Sequence, residues 1–187
     1  MDPIANLARA FDVAHGVFVG VDPATWDAPS PCSDWDARDV AAHLIGGAMM
    51  LATCVPGNAF DHAALAGDVL GADPAAAYRK AADEALAAFR ADPGVMGRTV
   101  VMPFGEMPGG MVVGIFTTDN FTHAWDLAKA TGQSTDLDPE LAETVLAASR
   151  SFVTADLRKP GFFDEEKAAP AGAPAADRLA AFLGRNV

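Results

Sequence analysis

Three aspartate–proline pairs constrain this chain more than any other feature. Asp2-Pro3, Asp73-Pro74 and Asp138-Pro139 each head a long stretch whose apolar residues recur with a helical period. An aspartate carboxylate caps the free N–H groups at a helix start, and proline fits the first turn, where its missing N–H costs nothing. Behind Asp2-Pro3, the run Ile4, Leu7, Ala8, Phe11, Ala14 and Val17–Val19 predicts a helix to about Val19, ended by Gly20 and Asp22-Pro23. Behind Asp73-Pro74, Tyr78, Ala82, Leu86 and Phe89 mark the buried face of a helix from Ala75 to about Ala91, closed by Asp92-Pro93-Gly94. Behind Asp138-Pro139, a helix runs past Val145, Leu146 and Phe152 to about Leu157 and breaks at Lys159-Pro160-Gly161.

Two further long helices carry the chemistry. Asp36 is the N-cap of one, with Asp39 in the place of the capping-box partner. Its stripe is Val40, Leu44, Met50 and Leu51, its Gly46-Gly47 pair leaves room for another backbone, and Pro56-Gly57-Asn58 stops it. The other begins near Pro108 and runs to Ala130, with Thr131-Gly132 as its stop. A short helix is expected around His62–Leu70, and a last amphipathic one from Asp177 to Leu183. Thr99-Val100-Val101-Met102 reads as a short strand or extended arm, not the start of a sheet. The Pro-, Ser- and Asp-rich loop from Val21 to about Trp35 holds Trp26, Cys32 and Trp35 and is expected to fold back over the core. The expected fold class is all-α: a single domain over 1–187, with 160–187 a loop and short helix packed on the bundle.

Composition narrows the function. Alanine contributes heavily to the 51 % hydrophobic content, which favours helix over strand. A formal net charge of −12 repels phosphate backbones and anionic lipid, which argues against nucleic-acid and membrane partners. No stretch approaches the roughly 18 apolar residues of a membrane span, and the N-terminus lacks the pattern of a signal peptide. Cys32 and Cys54 form no framework and no C-x-x-C pair, which fits a reducing, cytoplasmic setting. Glycines 105, 109 and 110 are not a phosphate loop, and no nucleophile elbow is present.

The candidate site lies in Asp119-Asn120-Phe121-Thr122-His123-Ala124-Trp125-Asp126-Leu127. Asp119 and His123 are four apart, hence on one helix face, and a carboxylate and an imidazole so placed can grip one metal ion. His43 is the candidate third ligand from the other helix. Two histidines and a carboxylate suit zinc, nickel, iron or manganese and leave positions open for water or substrate. The competing reading makes the histidines core residues paired to carboxylates, as Asp119–His123 and Asp39–His43. Asp126, three residues after His123, is either an acceptor that orients an imidazole N–H or a surface or capping residue. His15 and His62 have no partner at ligand spacing. Cys32 lacks the electropositive setting that activates a thiol, and Cys54 in an apolar helix is packing.

The run Pro31-Cys32-Ser33-Asp34-Trp35-Asp36-Ala37-Arg38-Asp39-Val40-Ala41-Ala42-His43-Leu44 resembles the loop-plus-helix signature of the DinB-like metal-binding proteins of actinobacteria, related to the N-terminal domain of mycothiol-dependent maleylpyruvate isomerase. Asp119 to Gly132 is similar to the family's second signature, an acidic residue four before His-x-x-Asp-Leu, and Asp177 to Arg185 to the usual ending of its short members. The resemblance implies an antiparallel four-helix bundle with a divalent metal, typically zinc, held by His43, Asp119 and His123. The isomerase pattern has Glu where this chain has Asp119, which would seat the metal closer to the helix. The isomerase also carries a further C-terminal domain. The implied chemistry is activation of a low-molecular-weight thiol, mycothiol, for attack on an electrophile by a transferase or isomerase. A metal-dependent hydrolase and a non-catalytic small-molecule-binding bundle are the alternatives. Bundles of this kind often pair through an exposed helix face, which makes a homodimer one candidate assembly and leaves the oligomeric state open.

Overall fold

The computed structural model describes residues 2–159 and 163–187. Among these it has six α-helices: α1 (Pro3–Val19), α2 (Ala37–Cys54), α3 (Pro74–Ala91), α4 (Gly109–Ala130), α5 (Pro139–Phe152) and α6 (Ala175–Phe182). Two strands, β1 (Thr99–Met102) and β2 (Gly105–Pro108), lie between α3 and α4. The helix starts use the expected caps. Asp2, Asp73 and Asp138 each accept a backbone N–H just ahead of a proline. At α2 the cap is reciprocal: the Asp39 N–H donates to Asp36 Oδ1 at 2.8 Å, and the Asp36 N–H donates to Asp39 Oδ2 at 3.1 Å. The shorter acid therefore closes the box that Glu usually makes.

Helix α4 organises the packing. It is buried along most of its length, as a helix apolar on nearly all sides must be. Its Val112, Phe116 and Leu127 join Leu7, Phe11, Leu44 and Tyr78 in a core shared with α1, α2 and α3. Its Phe121 and Trp125 enter a second core with Leu141, Leu146 and Leu179 of α5 and α6. Buried polar groups tie these layers. The Tyr78 hydroxyl donates to Asn120 Oδ1 at 2.8 Å, and Trp125 Nε1 donates to Asp177 Oδ1 at 2.7 Å, fastening α6 to α4. Arg9 on α1 grips the cap of α5, with Nε and Nη2 on the Asp138 carboxylate at 3.1 and 2.8 Å. No helix among the described residues is long and apolar enough to cross a membrane.

Several expectations are corrected. Thr99–Met102 is not a lone arm: it pairs antiparallel with β2, from Thr99 opposite Pro108 to Met102 opposite Gly105, so the fold is mostly helical with a two-stranded sheet. The short helix at His62–Leu70 reduces to a 3-10 turn, His62–Leu65. α5 stops at Phe152, and a separate 3-10 turn covers Ala155–Leu157. A Cβ on Gly46 or Gly47 would crowd the side chains of Leu65 and Phe116 rather than another backbone. The close backbone approach is at Gly109, where a Cβ would fall 2.1 Å from the Val95 carbonyl oxygen. Of the break at Lys159-Pro160-Gly161, the last two residues lie outside those described.

Candidate metal centre

Four segments meet at the site. α2 supplies His43, and α4 supplies Asp119, His123 and Asp126. The loop before α2 supplies Cys32 and Trp35, and the tail after α6 supplies Arg185. His43, Asp119 and His123 each place a ligand atom within 4.8 Å of the other two. His43 Nε2 lies 3.1 Å and His123 Nε2 3.6 Å from the same atom, Asp119 Oδ1. The two imidazole rings meet edge to face with centroids 4.6 Å apart, and the Trp35 ring covers both at 5.1 and 5.7 Å. Two imidazole nitrogens and a carboxylate oxygen this close are the donor set of a three-ligand metal site. The set opens into a cavity of about 820 Å³.

Behind His123 is a second layer. Its Nδ1 lies 3.0 Å from Asp126 Oδ2, so the carboxylate fixes the ring and leaves Nε2 turned toward Asp119 and His43. Asp126 is fully buried, and a buried carboxylate needs partners. Arg185 provides them in a fork, Nε to Oδ1 at 3.2 Å and Nη2 to Oδ2 at 3.0 Å. The Cys32 thiol donates to the same Oδ2 at 3.2 Å. Burial pushes the Asp126 pKa up, but the His123 hydrogen bond and the Arg185 charge pull it further the other way, to about 2. Asp119 is likewise held below its ordinary value: burial raises it, and the two histidines outweigh burial. Burial lowers His43, yet the Asp119 hydrogen bond and charge leave it above the ordinary imidazole value.

How Arg185 gets there follows from the end of α6. The Gly184 N–H donates to the Ala181 carbonyl and the Arg185 N–H to the Ala180 carbonyl, the paired bonds of a Schellman motif. Gly184 sits at φ +97°, and a Cβ there would lie 2.5 Å from the Asp164 Cβ. The glycine turn sends the tail back across α4, and Arg185 lands on Asp126.

The structure thus brings together all three candidate ligands. It also excludes the Asp39–His43 pair, because Asp39 is occupied in the α2 cap. Asp126 takes the orienting position rather than a surface or capping one. His15 is half-buried and His62 exposed, and neither joins a metal-capable cluster among the described residues. Cys54 is buried among apolar side chains. Cys32 corrects one premise: a cation does stand beside it, Arg185 Nη2 at 3.7 Å from Sγ. That cation does not outweigh burial and the Asp126 charge, which push the thiol pKa up to about 12. Cys32, His123 and Asp126 form a second ligand-capable group, but Arg185 already supplies its positive charge. Arg185 and the Cys32 contact escaped the sequence reading. The available signal was a glycine followed by an arginine just after the last amphipathic helix, Gly184-Arg185.

The profile of the mycothiol maleylpyruvate isomerase N-terminal domain matches residues 7–128. The chain belongs to that family. The match spans α1 to the end of the His123-x-x-Asp126 segment and so includes every candidate ligand. Two curated relatives, the uncharacterized proteins Rv0738 and MT0763 of two Mycobacterium tuberculosis strains, are each 44% identical over 188 residues, with both chains covered in full. Among solved structures, a histidine-to-alanine variant of mycothiol-dependent maleylpyruvate isomerase superposes with a TM-score of 0.61 at 15% identity. The likeness covers 80% of this chain and 69% of that one, and it shows a shared fold.

Proposed function

We propose that this member of the isomerase N-terminal domain family binds a divalent metal, zinc, through His43, Asp119 and His123, and activates a low-molecular-weight thiol of the mycothiol type for S-transfer or isomerisation. In this reading the 187 residues are one domain, with α1–α4 forming an antiparallel four-helix bundle. The observation that carries the proposal is the convergence of two imidazoles and one carboxylate on the floor of a cavity of about 820 Å³. Family membership supports the choice of thiol. The donor set supports the metal, because a site that leaves positions open suits an ion that also meets substrate.

A bound divalent ion would lower the pKa of an incoming thiol from about 8.5, so that its sulfur is thiolate at neutral pH. The chain's own groups make that possible. Asp126 holds the His123 Nδ1–H and so points the Nε2 lone pair at the ligand position. His43 donates its Nε2 proton to Asp119 at 3.1 Å and must give that proton up to ligate. Trp35 lies against both rings and keeps water from that side. Cys32, its proton held on Asp126, does not compete with the incoming thiol.

The test is elemental mass spectrometry on tag-free protein, stripped and reloaded, alongside His43→Ala, Asp119→Ala and His123→Ala. Near one equivalent of zinc in the wild type, lost in each variant while circular dichroism holds, is the expected result, followed by turnover that depends on added thiol. No metal in the wild type, or full retention in His43→Ala, overturns the assignment. Turnover without thiol would replace the transferase reading with hydrolysis.

A further inference from the structure

The cavity above the candidate ligands has two chemically different ends. On α4, Met111, Ile115, Asp119 and His123 succeed one another at intervals of four, so they form one ladder on one helix face, and all four line the cavity. At 1.5 Å per residue, Met111 stands about 12 Å along the helix from Asp119. The facing wall continues the apolar end, with Ala148 and Phe152 of α5 also four apart, and Val153 beyond. Met111 and Phe152 are about half exposed, 49 % and 48 %, and both face this one cavity. Uncovered apolar groups gathered in one concavity mark a place for an apolar ligand.

Charge points the same way. Arg185 is the only lysine or arginine that lines the cavity among the described residues. Its donors are committed to Asp126 and to the Leu183 carbonyl. The other formally charged side chains of the lining, Asp119 and Asp164, are acidic. A divalent ion would bring the positive charge of ion and Arg185 level with the negative charge of Asp119, Asp126 and Asp164. Nothing remains to neutralise a dicarboxylate, and a chain of net charge −12 repels one at long range.

We propose that the cavity takes an electrophile with an uncharged apolar tail, an aryl or medium-length alkyl group lying along α4 from the ion toward Met111, and that it rejects dicarboxylates. This rests on the thiol-activating reading of the ion site and names its second substrate class. The experiment is calorimetric titration of zinc-loaded and zinc-stripped protein with two unreactive probes, 4-phenylbutan-2-one and phenylsuccinate, which share an aryl group and differ in charge. The neutral probe should bind at least about ten-fold tighter than the dianion to stripped protein, and still bind after loading. Ile115→Ser and Phe152→Ser should each weaken the neutral probe about five-fold or more while zinc stoichiometry stays unchanged. Equal or tighter binding of phenylsuccinate to stripped protein, no binding of either probe, or an unaltered affinity in both variants overturns the proposal. Neutral-probe binding by a protein that takes up no zinc would leave the apolar subsite standing and overturn the ion reading instead.

Discussion

Asp126→Asn separates the supporting layer of the site from the site itself. The substitution keeps the shape of the side chain and removes one buried charge. Two costs follow. Asp126 is held at a pKa of about 2 against an ordinary 3.8, and at 1.36 kcal/mol per pKa unit that is about 2.5 kcal/mol of folding stability near neutral pH. Its partner Arg185, only 14 % exposed, is then left charged without its carboxylate, and losing one member of a buried pair costs about 3–5 kcal/mol in total. Because the carboxyl pKa is depressed on folding, the contribution is complete above about pH 4 and is lost as pH falls through about 2. Urea unfolding at neutral pH should show the loss, and the gap between variant and wild type should narrow as the solution is acidified. Metal affinity should drop by about 10–100-fold, because His123 trades a charged acceptor for an uncharged, weaker amide. The double variant Asp126→Asn with Arg185→Met decides the cause. It should recover most of the stability, since no charge is stranded, but not the metal affinity. A single variant within about 1 kcal/mol of wild type, or a double variant that regains zinc binding, would refute the layered account.

Three other perturbations probe neighbouring links. Gly184→Ala forces a side chain onto φ +97° and against Asp164; it should cost about 1–3 kcal/mol in urea unfolding and weaken zinc binding by displacing Arg185, and wild-type behaviour would mean that the turn does not seat the tail. Zinc affinity, measured by chelator competition, should fall with acidification from a pH above the ordinary imidazole pKa, because Asp119 raises His43 and protons compete with the ion; onset only below that value would contradict the pairing. Cys32, with its pKa near 12, should react with iodoacetamide at pH 8 about 100-fold or more slowly than in the denatured chain, as followed by mass spectrometry, and equal rates would remove it from Asp126.

The helices were legible because their signals are local. A capping aspartate, a proline at the first turn and a 3.6-residue apolar period all act within one turn, so Pro3–Val19 and Pro74–Ala91 fall where the sequence puts them. The β1–β2 hairpin was not legible, because Gly105-Glu106-Met107-Pro108 has little strand propensity of its own. Its extended form comes from the partner strand, to which Met107 and Glu106 are registered opposite Val100 and Val101. The shortened end of α5 has a similar origin: apolar periodicity continues past Phe152, but Val153 is extended and packs in the second core instead.

At the site the same division holds, and it explains why the sequence left Asp126 open between two roles. Asp119 and His123 are read from spacing because one helix alone sets their geometry. His43 needed only the further premise that α2 and α4 pack together, which their apolar faces imply. The role of Asp126 depends on a residue 59 positions away that reaches it only through the glycine turn after α6. No periodicity encodes that return. Burial does: a carboxylate at 0 % exposure on a helix packed on both sides must have a cation and a donor within reach, so a buried Asp126 requires something like Arg185. A chain of contacts therefore runs from Arg185 to the buried Asp126 charge, and from Asp126 to His123, the proposed metal ligand that it steadies. It makes the tail from Gly184 to Arg185 part of the site rather than the end of the fold.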